Sequence, residues 1–174
     1  MTTTTGPARE RPWRTFPAAG ALVVRRAADP DGDLLLMVQQ ARAGGVRWEV
    51  PGGNQEAAES FEEVAARELV EECGLTVTVG DLVCTYLLDR PSVQRSGVGV
   101  FFAAEADDPV AEPRTQVPDE ILAAAYVDPL AIPPEELGPV TRIVVERWWP
   151  LRREPVGPPF HVAVRRTPAG YVPL

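Results

Sequence analysis

The sequence predicts an α/β fold, and three observations carry that prediction. Short apolar runs with alternation or β-branching recur from Ala21 onward, at lengths suited to strands. Among them stands an amphipathic stretch framed by helix start and stop signals, Ser60 to Gly74. A second helical stretch opens with Pro139 as its first helical residue and is stopped by Pro150.

Taken in order, residues 1–15 hold four consecutive threonines, Pro7 and Pro12, and are expected to form a disordered tail. Ala21–Arg26 reads as a strand, Asp29–Gly32 as a turn, and Leu34–Gln40 as the returning strand of a hairpin. Ala41–Val46 is a glycine-bearing loop. Arg47–Val50 is a short strand delivering the chain to the turn Pro51-Gly52-Gly53. In the first helix, Ser60 and Glu63 have capping-box spacing, and Glu62 and Glu63 place negative charge in the first turn. Gly74 is a natural stop. Ala66, Leu69, Val70 and Cys73 share one face and are expected to be buried. Glu68, Glu71 and Glu72 fall opposite them, within an arc of about 100°.

Thr76–Val79, Leu82–Leu88, Val98–Ala104 and Ala123–Val127 read as strands, separated by the loops Asp89–Gly97 and Glu105–Pro118. In the second helix Val140, Ile143, Val144 and Trp148 trace an apolar stripe. Phe160–Arg166 and Tyr171–Val172 flank Thr167–Gly170 as a hairpin. Nineteen prolines among 174 residues, about twice the usual fraction, favour rigid loops.

The length suits one domain with a sizeable core. Seventeen basic against 25 acidic residues leave a net charge of −8, which argues against non-specific nucleic-acid binding. Two cysteines and one histidine make a structural zinc site improbable, and Cys73 is expected to be a small core hydrophobe. No leader and no run of 18 apolar residues is present, so the expected location is a reducing cytoplasm, with no membrane partner.

The glutamate cluster is not what helix stability alone would select. Glu68 stands three and four residues from Glu71 and Glu72, and each like-charge pair costs about 0.2–0.5 kcal/mol. A hard divalent cation such as Mg²⁺ turns that repulsion into binding, because it takes carboxylate oxygens together with waters and substrate phosphates. The alternative is a solvated acidic face. The glycine turn that feeds the helix from a strand end favours phosphate chemistry on a metal.

Gly53, Glu59, Arg67, Glu68, Leu69, Glu71, Glu72, Gly74 and Leu75 reproduce the Nudix box G-x5-E-x7-R-E-U-x-E-E-x-G-U, where U is aliphatic. Nine constrained positions would coincide by chance about once in a billion start points. The surrounding strand order resembles the same family over residues 16–150. The resemblance implies an α/β/α sandwich, a mixed β-sheet between helices. It also implies an enzyme that cleaves a nucleoside diphosphate linked to a moiety X with Mg²⁺, or with Mn²⁺ in its place. It implies Glu68, Glu71 and Glu72 as metal ligands, joined by the Gly52 carbonyl, and an Arg67–Glu59 pair that holds the loop to the helix. The general base it implies is Glu68, with Glu120 second and weighed against a solvated loop acid.

Gln39 and Gln40 depart from the family pattern, since relatives often carry a basic residue there. Arg42, Arg47, Arg90 and Arg95 remain as candidate phosphate binders, each weighed against a surface charge, with Gly53 at the turn. Tyr126 and Trp48 are expected to pack in the core. Pro91, sixteen positions after Leu75, resembles the spacing of the ADP-ribose-cleaving branch. It tilts the expected substrate towards ADP-ribose or a nucleotide sugar and away from a non-standard nucleoside triphosphate. A non-catalytic ligand-binding or regulatory module is the alternative function. A transferase or isomerase on the same fold is a third. Complete box carboxylates, with no helix-turn-helix or basic arm, weigh against the regulatory module.

Residues 151–174 lie outside this resemblance. Phe160, Val162 and Val164 share one face of a hairpin that would be marginal alone in water. That face is expected to dock on a second subunit, as a homodimer, or on the domain's own sheet.

Overall fold

The computed structural model describes residues 12–42 and 45–174. Its organising strand is β1 (Arg14–Arg25), in which Ala18 to Val23 are all buried. Such a run forms where both faces of a sheet are covered. Alternation then divides its side chains between two cores. Ala19, Ala21 and Val23, with Leu36 and Val38 of β2 (Leu34–Arg42), pack on Val64, Ala65, Leu69 and Cys73 of helix α1 (Phe61–Cys73). Leu22, Leu35 and Met37 point the other way, to Val140, Val144 and Trp148 of helix α2 (Pro139–Trp148). The α/β/α sandwich expected from the resemblance is the fold observed.

The sheet is mixed. The further strands are β3 (Gly45–Glu49), β4 (Gly52–Asn54), β5 (Val77–Arg90), β6 (Arg95–Ala106), β7 (Ile121–Val127), β8 (Phe160–Thr167) and β9 (Gly170–Pro173). Their order is β3-β2-β1-β6-β5-β8-β9, with β4 also pairing β1 and β7 also pairing β2. β1 runs parallel to β6, and β5 parallel to β8. β1 pairs β4 at Ala18–Gly20 and meets β2 only at Val24 and Arg25, so the sheet curls as β1 changes partners.

Helix α1 has both halves of its capping box, and its chain leaves through Gly74 at φ 67°. That left-handed conformation favours glycine. The loop after β6 completes this end, where the Arg114 N–H donates to the Cys73 carbonyl at 2.7 Å.

Several expectations are corrected. Arg14 and Thr15, expected in a disordered tail, belong to β1; residues 1–11 of that expected tail lie outside the described residues. In place of the expected loop over Ala41–Val46, Ala41 and Arg42 end β2 and pair with Val46 and Gly45 of β3, and residues 43–44 lie outside the described residues. The two strands expected at Thr76–Val79 and Leu82–Leu88 are one long strand, Val77–Arg90, with register shifts near Leu82. The buried face of α1 is also rotated. Val64 and Ala65 are buried whereas Val70 is exposed.

Within residues 151–174, the hairpin of β8 and β9 is built into the sheet. β8 lies beside β5, and Val162 and Val164 join the core of α2. Trp148 and Trp149 are buried there too. The hairpin therefore docks on its own sheet, and covering it requires no second subunit. Asp33 ties the start of this segment down, its carboxylate accepting hydrogen bonds from Arg152 Nε at 2.9 Å and Arg153 Nε at 2.8 Å. Among the described residues no helix is long and apolar enough to cross a membrane.

Candidate active site

The site is built where α1 passes the glycine turn. β4 is hydrogen-bonded to β1, with Gly53 opposite Ala19, so the turn is held against the first layer of α1. A Cβ at Gly53 would lie 2.3 Å from Glu68 Oε1 and 2.6 Å from Oε2. Only glycine leaves that carboxylate its space. One helical turn on, Glu72 Oε2 accepts the Gly52 N–H at 2.8 Å, and Glu72 Oε1 accepts Gln40 Nε2 at 2.7 Å. The two carboxylates thus meet one stretch of backbone.

Expected opposite the buried arc of the helix, both are instead largely buried. Glu72 is only 6% exposed. It lies seven residues after Ala65, about 20° around the helix from it, and so inside the buried arc. Glu68 is largely buried, and loss of solvation raises its carboxyl pKa against the opposing pull of Arg67. Glu71 is half-exposed and touches Arg67 at 3.3 Å.

Arg67 gathers the loop. Its Nε donates to Glu59 Oε1 at 2.7 Å and its Nη2 to Glu59 Oε2 at 3.1 Å, a two-pronged pair. Further bonds reach Glu68 Oε1 at 2.9 Å and the Asn54 carbonyl at 3.0 Å. The Glu59 hydrogen bond is the main reason its guanidinium is held protonated even more firmly than usual. Glu59, which also accepts the Glu56 N–H, has its carboxyl lowered chiefly by Arg67. The expected Arg67–Glu59 pair is present.

A cleft of about 430 Å³ opens beside Gly52 and Gly53. Of the four candidate phosphate-binding arginines, Arg47, Arg90 and Arg95 line it. Arg47 also donates to the Glu135 carbonyl, which ties β3 to the short turn before α2. Arg42 ends β2, and its side chain lies outside the described residues. Glu120 is exposed in the turn before β7. Its neighbour Ile121 is the register partner of Gln40, the residue that holds Glu72.

Sequence reasoning missed Gln40 as the partner of Glu72, and Tyr86, Arg166 and Tyr171 as cleft residues. A signal for Gln40 existed: a polar side chain at the end of an apolar strand, where it is now 5% exposed. For Arg166 and Tyr171 none existed, because strand pairing alone brings the C-terminal hairpin to the cleft.

The donors at the turn suit a hard divalent cation. Glu68 and Glu72 are carboxylates, the neighbouring backbone adds carbonyl oxygens, and the thiol of Cys73 sits in the core with burial pushing its pKa up. Among the described residues no three Asp, Glu, His or Cys side chains converge on one point. Glu68 and Glu72 meet at the turn with Glu71 at the rim, a set that could hold an ion that keeps waters and binds phosphate oxygens.

Residues 14–148 match the family model described as NUDIX domain. A MutT NUDIX hydrolase from Burkholderia pseudomallei superposes with a TM-score of 0.65 at 25% identity, over 77% of this chain and 98% of that one. A NUDIX hydrolase from Nitrosomonas europaea gives 0.64 at 19% identity, over 87% and 81% of the two chains. An ADP-ribose pyrophosphatase from Streptococcus suis gives 0.60 at 20% identity, over 84% and 98%. The last two likenesses speak to the fold.

Proposed function

The chain belongs to the NUDIX domain family and is a Nudix hydrolase, and from that premise we propose that it cleaves a phosphoanhydride bond in a nucleoside diphosphate linked to a second group, using Mg²⁺. One observation carries this reading: Glu68 and Glu72 both meet the Gly52–Gly53 backbone, which lines a cleft bearing Arg47, Arg90 and Arg95. Carboxylates at one end and guanidinium groups along the walls are what a metal-dependent phosphate reaction needs.

Glu68, Glu72 and the Gly52 carbonyl would hold the ion, with Glu71 reaching it through water. When bound, the cation neutralises phosphate oxygens and makes a bound water more acidic. Glu68 is our choice of general base. Arg67 fixes its orientation at 2.9 Å, and the Glu68 carboxylate lies against the Gly53 backbone where the ion would be held. The water oxygen bonds to phosphorus, its proton passes to Glu68, and the bridging P–O bond breaks to release two phosphate-bearing products. Gln40 and the Gly52 N–H orient Glu72. Glu120, exposed in the turn before β7, is the second candidate for the base. ADP-ribose or a nucleotide sugar is the favoured substrate, on the spacing of Pro91.

The test is product release from a panel of ADP-ribose, nucleotide sugars and non-standard nucleoside triphosphates, with Mg²⁺ and with chelator. Turnover of a diphosphate-linked nucleotide that stops on chelation is expected. Absence of turnover across the panel would remove the hydrolase reading.

A further inference from the structure

The floor of the cleft carries an aromatic pair with no part in the reaction scheme above. Tyr86 of β5 stacks on Phe101 of β6, with ring centroids 5.1 Å apart and planes at 29°. Both residues line the cleft. Two glycines make room for them. A Cβ at Gly20 would stand 2.8 Å from Phe101 Cε1, and one at Gly99 would stand 2.6 Å from both Cζ and the hydroxyl oxygen of Tyr86. The end of the phenol therefore lies over Gly99, in the space a side chain would take.

That position brings the hydroxyl beside the glycine turn. Gly99 is the register partner of Tyr86 on one side and of Ala18 on the other. Ala18 in turn stands opposite Asn54, next to the pairing of Ala19 with Gly53, the glycine that Glu68 packs against. Phe101 approaches the same turn, because the Gly20 position it touches also meets the Pro51 carbonyl and Gly52 Cα.

Among the described residues the Tyr86 hydroxyl donates to no protein acceptor. The buried side-chain atoms without a partner there are Arg25 Nε, Gln40 Oε1, Arg90 Nε and Arg142 Nε, and the Tyr86 hydroxyl is not one of them. It is therefore open to the cleft. Burial of the ring, and then the nearby charge of Glu49, push its pKa above the ordinary value of 10. Glu49 is itself engaged with other groups. The phenol thus stays protonated at neutral pH and keeps a hydrogen to donate. The partner that suits it is a group that only accepts. Diphosphate oxygens meet that condition, and Arg47, Arg90 and Arg95 along the cleft favour their charge, whereas ribose hydroxyls both donate and accept.

We propose that Tyr86 is a substrate-binding residue whose hydroxyl donates a hydrogen bond to a diphosphate oxygen at the floor of the cleft. That this diphosphate contains the bond being cleaved rests on the hydrolase reading; the contact itself does not.

The metal-free full chain is titrated by calorimetry with inorganic pyrophosphate, with ADP-ribose, and with adenosine, which carries no phosphate. The variant is Tyr86→Phe, which keeps the ring and its stack on Phe101. Saturable binding of pyrophosphate and ADP-ribose by the wild type is expected, about tenfold weaker in the variant. The response to adenosine and the melting temperature should not change, since the hydroxyl has no partner in the fold to lose. Equal affinity of both chains for pyrophosphate, or no pyrophosphate binding by the wild type, would overturn the contact. An equal loss for adenosine would also overturn it, by assigning the hydroxyl to the nucleoside, as would a lowered melting temperature, by making it structural. If the contact stands and no nucleotide is turned over, the hydrolase reading fails alone.

Discussion

Gln40 Nε2 donates a 2.7 Å hydrogen bond to Glu72 Oε1 across 32 residues of chain. The bond joins the end of a buried strand to the last turn of α1 and makes Glu72 a structural group as well as a candidate metal ligand. Glu72→Gln removes the charge and leaves two donors, Gln40 Nε2 and Gly52 N–H, facing an amide that has one acceptor oxygen. The expected result is loss of Mg²⁺-dependent turnover together with about 1–3 kcal/mol of stability, the cost of a buried donor left unpaired. Thermal unfolding beside a turnover assay checks both. Unchanged stability would show that the amide reorients without strain.

Gly53→Ala tests the contact between the turn and Glu68. The added methyl meets the far end of a flexible side chain, so the fold should persist while the carboxylate moves. A displacement near 1 Å in a reacting group costs about 100-fold in rate. A variant that retains wild-type kcat with a native melting curve would show that Glu68 need not sit where it does.

Arg67→Ala should lower both the melting temperature and activity, because one guanidinium bonds Glu59, Glu68 and the Asn54 carbonyl. Arg67→Lys should recover little of either, since an ammonium cannot reproduce the two-pronged pair. Full activity at a reduced melting temperature would confine Arg67 to the loop.

Asp33 gives the fold a predictable acid dependence. Its buried carboxylate is held well below the ordinary value of 3.8, first by the Arg153 hydrogen bond, with Ala27 N–H and Arg152 assisting. A lowered folded-state pKa stabilises the fold fully above the unfolded value. That stability is lost as pH falls below 3.8 towards the folded value. Asp33→Asn should therefore be less stable at pH 7, with a flatter decline below pH 4. Parallel wild-type and variant curves from denaturant titrations at stepped pH would contradict this.

Ending the chain after Pro150 should not yield a smaller folded domain. Val162 and Val164 are each 2% exposed in the core of α2, and each contributes about 1.5–3 kcal/mol by burial. The cut also frees the edge of β5 and removes both arginines from Asp33. Non-cooperative melting or aggregation is expected. A soluble fragment with a sharp transition would show that the hairpin is dispensable.

The sequence alone determined what depends on near neighbours. Ser60 and Glu63 close their capping box within one turn, Gly74 ends the helix locally, and the spacing of Glu68, Glu71 and Glu72 is intrinsic to a 3.6-residue period. The two-sided burial of β1 was legible only in part, because Arg14 to Pro17 carry little apolar pattern and are strand through pairing with β6. Which side of α1 turns inward was not legible. Ala66–Leu69–Val70 and Ala65–Leu69–Glu72 are overlapping stripes, and contact with the sheet chose the second. The tertiary structure alone decided that Gln40 holds Glu72, that Asp33 meets Arg152 and Arg153 across some 120 residues, and that Arg166 joins Arg90 and Arg95 at one cleft. Each of these depends on strand register between distant segments, and no periodicity within either segment encodes that register.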